Sequence, residues 1–330
     1  MQVIFHADDF GIDPVQSTRI LDCCGGAGAP GLLNSLSIFA NSPRFDECAE
    51  LLERKLASLS CRPDAQQLLI GLHVNLVEGH CVADPAQVPM LVDGDGMFDL
   101  GFLGLLKKSR SRQRAEAQRQ IEIEIDAQLA KLAGRFPQMR DGLRVDSHQH
   151  THAIPVVFDA LLASIERSGC KLEHTRVPVE SRQPFAPRQI ARRIRKLNLA
   201  KHKLLAHLWK QDAKAHPEAA APASAFCGVL FSGEMTAANV EAVFDGLARD
   251  AAARELDLEV LFHPGIVDEA ALCLNPALPG FVEFSTSPNR ELEAQALKAF
   301  ALESRDGLPA LTRIAPDAAE ATQDQEPSSL

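Results

Sequence analysis

Four separate segments of the chain place aspartate and histidine where apolar runs end. Asp8 and Asp9 follow the short run Gln2–His6, and His73 lies within Gly71-Leu72-His73-Val74-Asn75-Leu76. Asp146, His148, His150 and His152 crowd into Asp146-Ser147-His148-Gln149-His150-Thr151-His152, and His263 closes a fourth run in Leu261-Phe262-His263-Pro264-Gly265. Carboxylate and imidazole donors together suit Zn²⁺ or another borderline divalent cation. Three protein donors with one position left open make a catalytic centre, in which bound water becomes acidic enough to react near neutral pH. Adjacent carboxylates allow a division of labour, one holding the metal and the other serving as general base. A histidine on the opposite wall would protonate the leaving group. The chemistry expected is metal-assisted hydrolysis of an amide or ester.

Taken singly, each feature has a plainer reading. Asp8-Asp9 before Phe10-Gly11 fits a helix cap or an Asx-turn. His73 between apolar neighbours fits a hydrogen-bonded core histidine, and His-Pro-Gly fits a turn. The histidine triplet is harder to dismiss. If the chain is extended there, His148, His150 and His152 share one face. Three imidazoles on one face are costly unless solvated, hydrogen-bonded or ligated.

These residues need a scaffold of strands whose ends meet. Strands are expected at Gln2–His6, Asn34–Phe39, Leu68–Leu76, Leu143–His148, Leu172–Val177, Val229–Phe231 and Leu258–His263. Helices are expected at Pro14–Cys24 (Asp13 as N-cap), Pro43–Leu56, Gln113–Phe136, Ile154–Ser168, Thr236–Ala253 and Asn289–Leu302. This alternation implies an α/β fold with a largely parallel sheet, open or closed into a barrel, whose C-terminal strand ends form the ligand crevice. Residues 1–302 read as one catalytic domain, with 79–112 and 182–225 as inserts and 303–330 as an acidic, disordered tail.

Composition excludes several classes. The chain has 330 residues, 46 % hydrophobic and 24 % charged, which is ordinary for a globular protein. No apolar stretch approaches a membrane span, and no basic segment followed by a long apolar one opens the chain, so a cytoplasmic protein is expected. The net charge of −10 argues against nucleic acid as a partner. Eight cysteines without a CxxC pair read as reduced thiols. Tyr is absent and Trp occurs once, so sugar stacking would fall to Phe. The basic segments 107–119 and 188–203 read as solvated helix faces rather than sites for an anionic substrate; in the second, Ile190, Ile194 and Leu197 would pack inward.

In combination and order, Ala7-Asp8-Asp9-Phe10-Gly11, Gly71–Leu76, Asp146–His152 and His263-Pro264-Gly265 resemble the motifs of the YdjC/ChbG-like carbohydrate deacetylases. The resemblance covers about residues 1–290. It implies a distorted (β/α) barrel of seven or so strands, polysaccharide-deacetylase-like, and one divalent metal ion (Mg²⁺ or Zn²⁺). It also implies removal of N-acetyl groups from amino sugars, and homodimers. Position by position, Asp9, His73 and His148 are similar to the metal ligands, Asp8 to the general base and His263 to the acid that expels the amine. The match leaves His150 and His152 behind the metal ligands or facing the substrate. Asp146 reads as an orienter of a ligating imidazole. Arg176 is expected to hold Asp8 or a substrate oxygen. Hydrolysis of another amide, lactam or phosphoester, or a silent metal- or glycan-binding protein, are the alternative readings.

Overall fold

The computed structural model describes residues 1–25, 31–61, 67–268 and 279–299. The tail expected over 303–330 and the last residues of the helix expected to reach Leu302 lie outside them. Seven strands are described: β1 Val3–Phe10, β2 Ser35–Ile38, β3 Leu69–Val74, β4 Leu143–Ser147, β5 Leu172–Thr175, β6 Ser224–Cys227 and β7 Asp257–Phe262. They form one sheet in the order β5-β4-β3-β2-β1-β7-β6, and every pairing is parallel.

The sheet is curled. β5 and β7 lie five strand steps apart in that order, which in a flat sheet would separate them by about 24 Å. Yet His174 Nε2 of β5 sits 3.0 Å from Glu259 Oε2 of β7. The inner faces therefore close on each other as a half-barrel, while β5 and β6 do not pair among the described residues.

Side chains alternate across each strand. On β1, Phe5 points outward, stacking on Phe244 at a centroid distance of 6.4 Å, while His6 and Asp8 point inward. Outside lies an apolar layer covered by helices: α1 Pro14–Leu21, α2 Phe45–Ser60, α3 Gly101–Ser109, α4 Arg114–Arg135, α5 Pro155–Ser168, α6 Arg188–Ala191, α7 Lys196–Ala215, α8 Ala237–Ala253, α9 Pro279–Ser285 and α10 Asn289–Ala299. Asp13 caps α1 by accepting from the Val15 and Gln16 amides, and Thr236 caps α8. No helix of the described residues is long and apolar enough to cross a membrane.

Helix α4 carries two stripes. Ile121, Ile125, Leu129 and Leu132 are buried, as their spacing predicts. Gln120, Glu124 and Gln128 are buried as well and hold the segment that follows β3. Gln120 accepts from Met90 N, Glu124 from Val82 N and Ala83 N, and Gln128 exchanges two hydrogen bonds with the Asn75 backbone. Residues 79–112, read as an insert, are thereby fastened to the scaffold, and they include α3.

Three expectations are corrected. The strand expected at Val229–Phe231 is Ser224–Cys227 instead. Past it the backbone turns, because the Glu180 carboxylate accepts from the amides of Gly228, Val229 and Leu230. The apolar positions Ile190, Ile194 and Leu197 do not line one helix. α6 ends at Ala191, α7 begins at Lys196, and Leu197 is 72 % exposed. The histidine triplet is not extended, since β4 ends at Ser147 and residues 148–153 form a tight turn.

Helix α7 carries one mismatched charge. Asp212 is 1 % exposed, and its Oδ2 has no hydrogen-bond partner. Burial first, and the nearby Asp159 carboxylate second, push its carboxyl up to about 8. The unfolded chain loses this proton near pH 4 and the folded one holds it, so the residue erodes stability as pH rises from 4 to 8. Asp212→Asn is expected to raise unfolding free energy by about 1–3 kcal/mol at pH 8 and by little at pH 4, read from denaturant melts at both.

Candidate metal centre and catalytic pair

The inner face of the half-barrel is polar. β1 contributes His6 and Asp8, β2 Ser35 and Ser37, β3 His73, β4 Asp146, β5 His174 and β7 Glu259, and all are buried. Parallel strands in register bring their C-terminal ends level, so Asp9, His73 and the turn after β4 meet at one rim.

There Asp9 Oδ1 lies 3.2 Å from His73 Nε2 and 3.0 Å from His148 Nδ1. Donors each about 2.1 Å from one cation would sit about 3.0–3.4 Å apart, so the spacing fits a shared ion. His73 Nε2 has no hydrogen-bond partner, while its Nδ1 donates to Asp146 Oδ1 at 2.5 Å. That is the way a ligating imidazole is oriented by a carboxylate behind it. Burial opposes charge on His73, yet Asp8 and Asp146 overcome it and raise the imidazole to about 10. The pocket thus draws a positive charge, and a divalent cation answers the same demand.

Local backbone strain serves this cluster. Four non-glycine residues among those described hold positive φ: Asp9 (63°), Gln149 (55°), His150 (58°) and Glu255 (55°). Three of them flank or form the site. Each costs about 1–2 kcal/mol, and the surroundings over-determine them. Gln16 Nε2 of α1 donates to the Asp9 carbonyl at 2.8 Å. α1 comes so close that a Cβ on Gly265 (φ +91°) would lie 2.9 Å from Gln16 O, which explains the glycine after His263-Pro264.

Asp8 faces the other way, into a buried charge network. Arg176, just past β5, donates from Nη1 to Asp8 Oδ2 at 2.9 Å and from Nε to Glu259 Oε1 at 2.6 Å. Its Nη2 lies 2.9 Å from both Asp8 Oδ1 and Asp146 Oδ2. Burial works against ionising Asp8, but the guanidinium prevails and holds it well below the usual carboxylate range. His6 fills the gap between Asp8 and Asp146, with Nε2 3.2 and 3.1 Å from their oxygens. His6, Asp8 and Asp146 are also close enough together to hold an ion, but Arg176 already supplies their cation.

His263 Nε2 lies 3.9 Å from Asp8 Oδ2, and both line one cavity with Asp9, Ile12 and Val267. Burial lowers the His263 pKa, with Asp9 and Asp8 opposing. His152 accepts or donates within the wall, its Nδ1 2.6 Å from Ser147 Oγ and its Nε2 2.9 Å from the Arg176 carbonyl. His150 packs edge-on to Phe226 at 6.0 Å, and burial holds it neutral. Neither joins Asp9, His73 and His148.

Sequence reading missed His6, Glu259, Glu78 and the pair Arg290–Glu293. His6 stands two residues before Asp8, and Glu259 four before His263, so strand periodicity puts each on the same inner face as its partner. Glu78 is buried near Asp9; burial first and that charge second raise it to about 8. Asn75 fixes its backbone by accepting from the Val77 and Glu78 amides. No spacing marks Arg290 as part of the cavity wall, or Glu293 as the carboxylate that holds it.

Among curated proteins, the chain is 27 % identical over 184 residues to a carbohydrate deacetylase of Danio rerio, covering 54 % of this chain and 50 % of that protein. It is 30 % identical over 185 residues to one of Mus musculus, covering 54 % and 51 %. The chain thus spans about half the length of these relatives. A solved structure from Enterococcus faecalis V583, described as a cellobiose-phosphate cleavage protein, shares the fold with a TM-score of 0.55 at 16 % identity, covering 90 % of each chain. Residues 2–304 match the model of the YdjC-like protein family, and to that family the chain belongs.

Proposed function

We propose that this protein is a metal-dependent hydrolase that removes N-acetyl groups from amino-sugar-containing carbohydrate. The observation that carries the reading is the juxtaposition of a three-donor cluster, Asp9, His73 and His148, with an ionised, Arg176-paired Asp8 and a facing His263 in one cavity. The curated relatives that bear the name carbohydrate deacetylase support it. Asp9, His73 and His148 would hold one divalent cation; two imidazoles and a carboxylate suit Zn²⁺ better than Mg²⁺, which prefers oxygen donors. Bound there, the cation would supply Lewis-acid polarisation of the acyl carbonyl and acidification of water.

The chain's own groups do the rest. Arg176 keeps Asp8 ionised and fixes both its oxygens, so the carboxylate is ready to accept the proton of the attacking water. His263, whose burial makes its protonated form the stronger acid, gives a proton to the departing sugar amine. Asp146 and Ser37 hold His73 from behind, with Ser37 Oγ 3.0 Å from His73 Nδ1. The products are acetate and a free amine.

Acetate release from N-acetylglucosamine oligomers, set against a panel of esters, lactams and phosphoesters, tests the reading; turnover confined to another bond class would contradict it. His148→Ala is expected to lower bound divalent metal to a small fraction of one equivalent by elemental analysis, with the fold retained by circular dichroism.

A further inference from the structure

The cavity that holds Asp8, Asp9 and His263 has a second polar wall, made by Ser285 at the end of α9 and Arg290 near the start of α10. Both are buried, at 4 % and 2 % exposure. Arg290 Nη2 donates to Glu293 Oε1 at 3.0 Å, and its guanidinium lies 4.0 Å from the centre of the Phe284 ring. Its Nε and Nη1, and the Ser285 hydroxyl, have no hydrogen-bond partner among the described residues. Buried polar groups are nearly always partnered, so unmet donors on the wall of a cavity mark a place that a ligand completes. A guanidinium offers N–H donors and no acceptor, which makes this wall a donor surface.

We propose that Arg290 and Ser285 form an oxyanion subsite of the catalytic cavity whose ligand is a small carboxylate: the acetate released by the reaction, or a carboxylate carried by the sugar. The acetate source rests on the deacetylase reading; the subsite does not. Glu293 ties the subsite to the proton donor, because its Oε2 accepts from the His263 amide at 2.6 Å while Oε1 holds Arg290. Glu293 also cancels the guanidinium's charge, so the ligand is held by directed N–H and O–H donors rather than by bulk attraction. That suits a product that must leave. Ile12, Val267 and Phe284 on the same cavity offer apolar surface for the methyl group of acetate.

The test is titration of the full-length protein, as purified, with sodium acetate and separately with glucuronate, followed by saturation-transfer NMR. Arg290→Lys is expected to weaken acetate binding about tenfold and Ser285→Ala about threefold, with melting curves confirming that both fold. His148→Ala is expected to leave it unchanged. Glucuronate binding more tightly than acetate, with the same dependence on Arg290, would support an acidic sugar as the source; acetate binding alone would support the product. Acetate binding unaffected by both Arg290→Lys and Ser285→Ala, or lost in His148→Ala alone, overturns the subsite. Binding needs no turnover, so an enzyme that binds acetate through Arg290 yet releases none from any N-acetylated sugar would sink the deacetylase reading and leave the subsite standing.

Discussion

Arg176→Met is expected to abolish turnover and to destabilise the fold by about 3–5 kcal/mol, because it strips the cation from a buried network rather than a surface pair. Arg176 is 1 % exposed and serves Asp8, Asp146 and Glu259 at once. Without it those carboxylates are buried like charges with only His6, His73 and His174 to answer them. In the native protein, burial raises and Arg176 lowers the Asp8, Asp146 and Glu259 pKa values, and the guanidinium wins. Their stabilisation is therefore present above about pH 4, the unfolded carboxylate value, and fades as pH falls below it. In Arg176→Met only the weaker pull of His6, His73 and His174 opposes burial, the folded pKa values rise, and stability should instead decline as pH climbs above 4. Denaturant melts from pH 4 to 8 read this reversal of slope. Arg176→Lys should recover only part of the loss, since one ammonium cannot reach three carboxylates in a planar fork. A variant within 1 kcal/mol of the parent at pH 7 would show that the network carries no such role.

Asp8→Asn is expected to lower kcat by about 10²–10⁴-fold while bound metal stays at the parent level. The amide keeps the side chain's shape and one oxygen for Arg176, but it cannot accept a proton from water. Because Asp8 is not among the three donors Asp9, His73 and His148, elemental analysis should separate it from Asp9→Asn, which removes a proposed ligand. The loss should fall on kcat more than on KM, since the proton transfer belongs to the transition state. Full turnover on an active substrate would end the assignment of Asp8 as base.

Strand-end chemistry was the most legible part of this chain. Asp9, His73 and His148 lie at or just past the ends of β1, β3 and β4, and parallel register alone brings such ends together. Six of the seven strands and helices α1, α2, α4, α5, α8 and α10 were legible too, from apolar runs of period 2 and 3.6, whereas α3, α6, α7 and α9 were not assigned. What escaped reading was set by tertiary context. The turn at Gln149 and His150 takes left-handed backbone that neither residue prefers, so an extended histidine face was the natural expectation. Gln120, Glu124 and Gln128 look like a solvated face of α4 until the segment after β3 lies on them. Val229–Phe231 looks like a strand until Glu180, some fifty residues away, takes its amides. Arg290 and Glu293 sit on a helix whose pattern is merely amphipathic.

Anomalous diffraction at the Zn edge from crystals soaked in Zn²⁺ measures where the cation sits. One ion bonded to Asp9, His73 and His148, with Asp8 in salt-bridge contact with Arg176 and free of the metal, is the predicted result. An ion bonded to His6, Asp8 and Asp146, or no ion at the Asp9 cluster at saturating Zn²⁺, would contradict it.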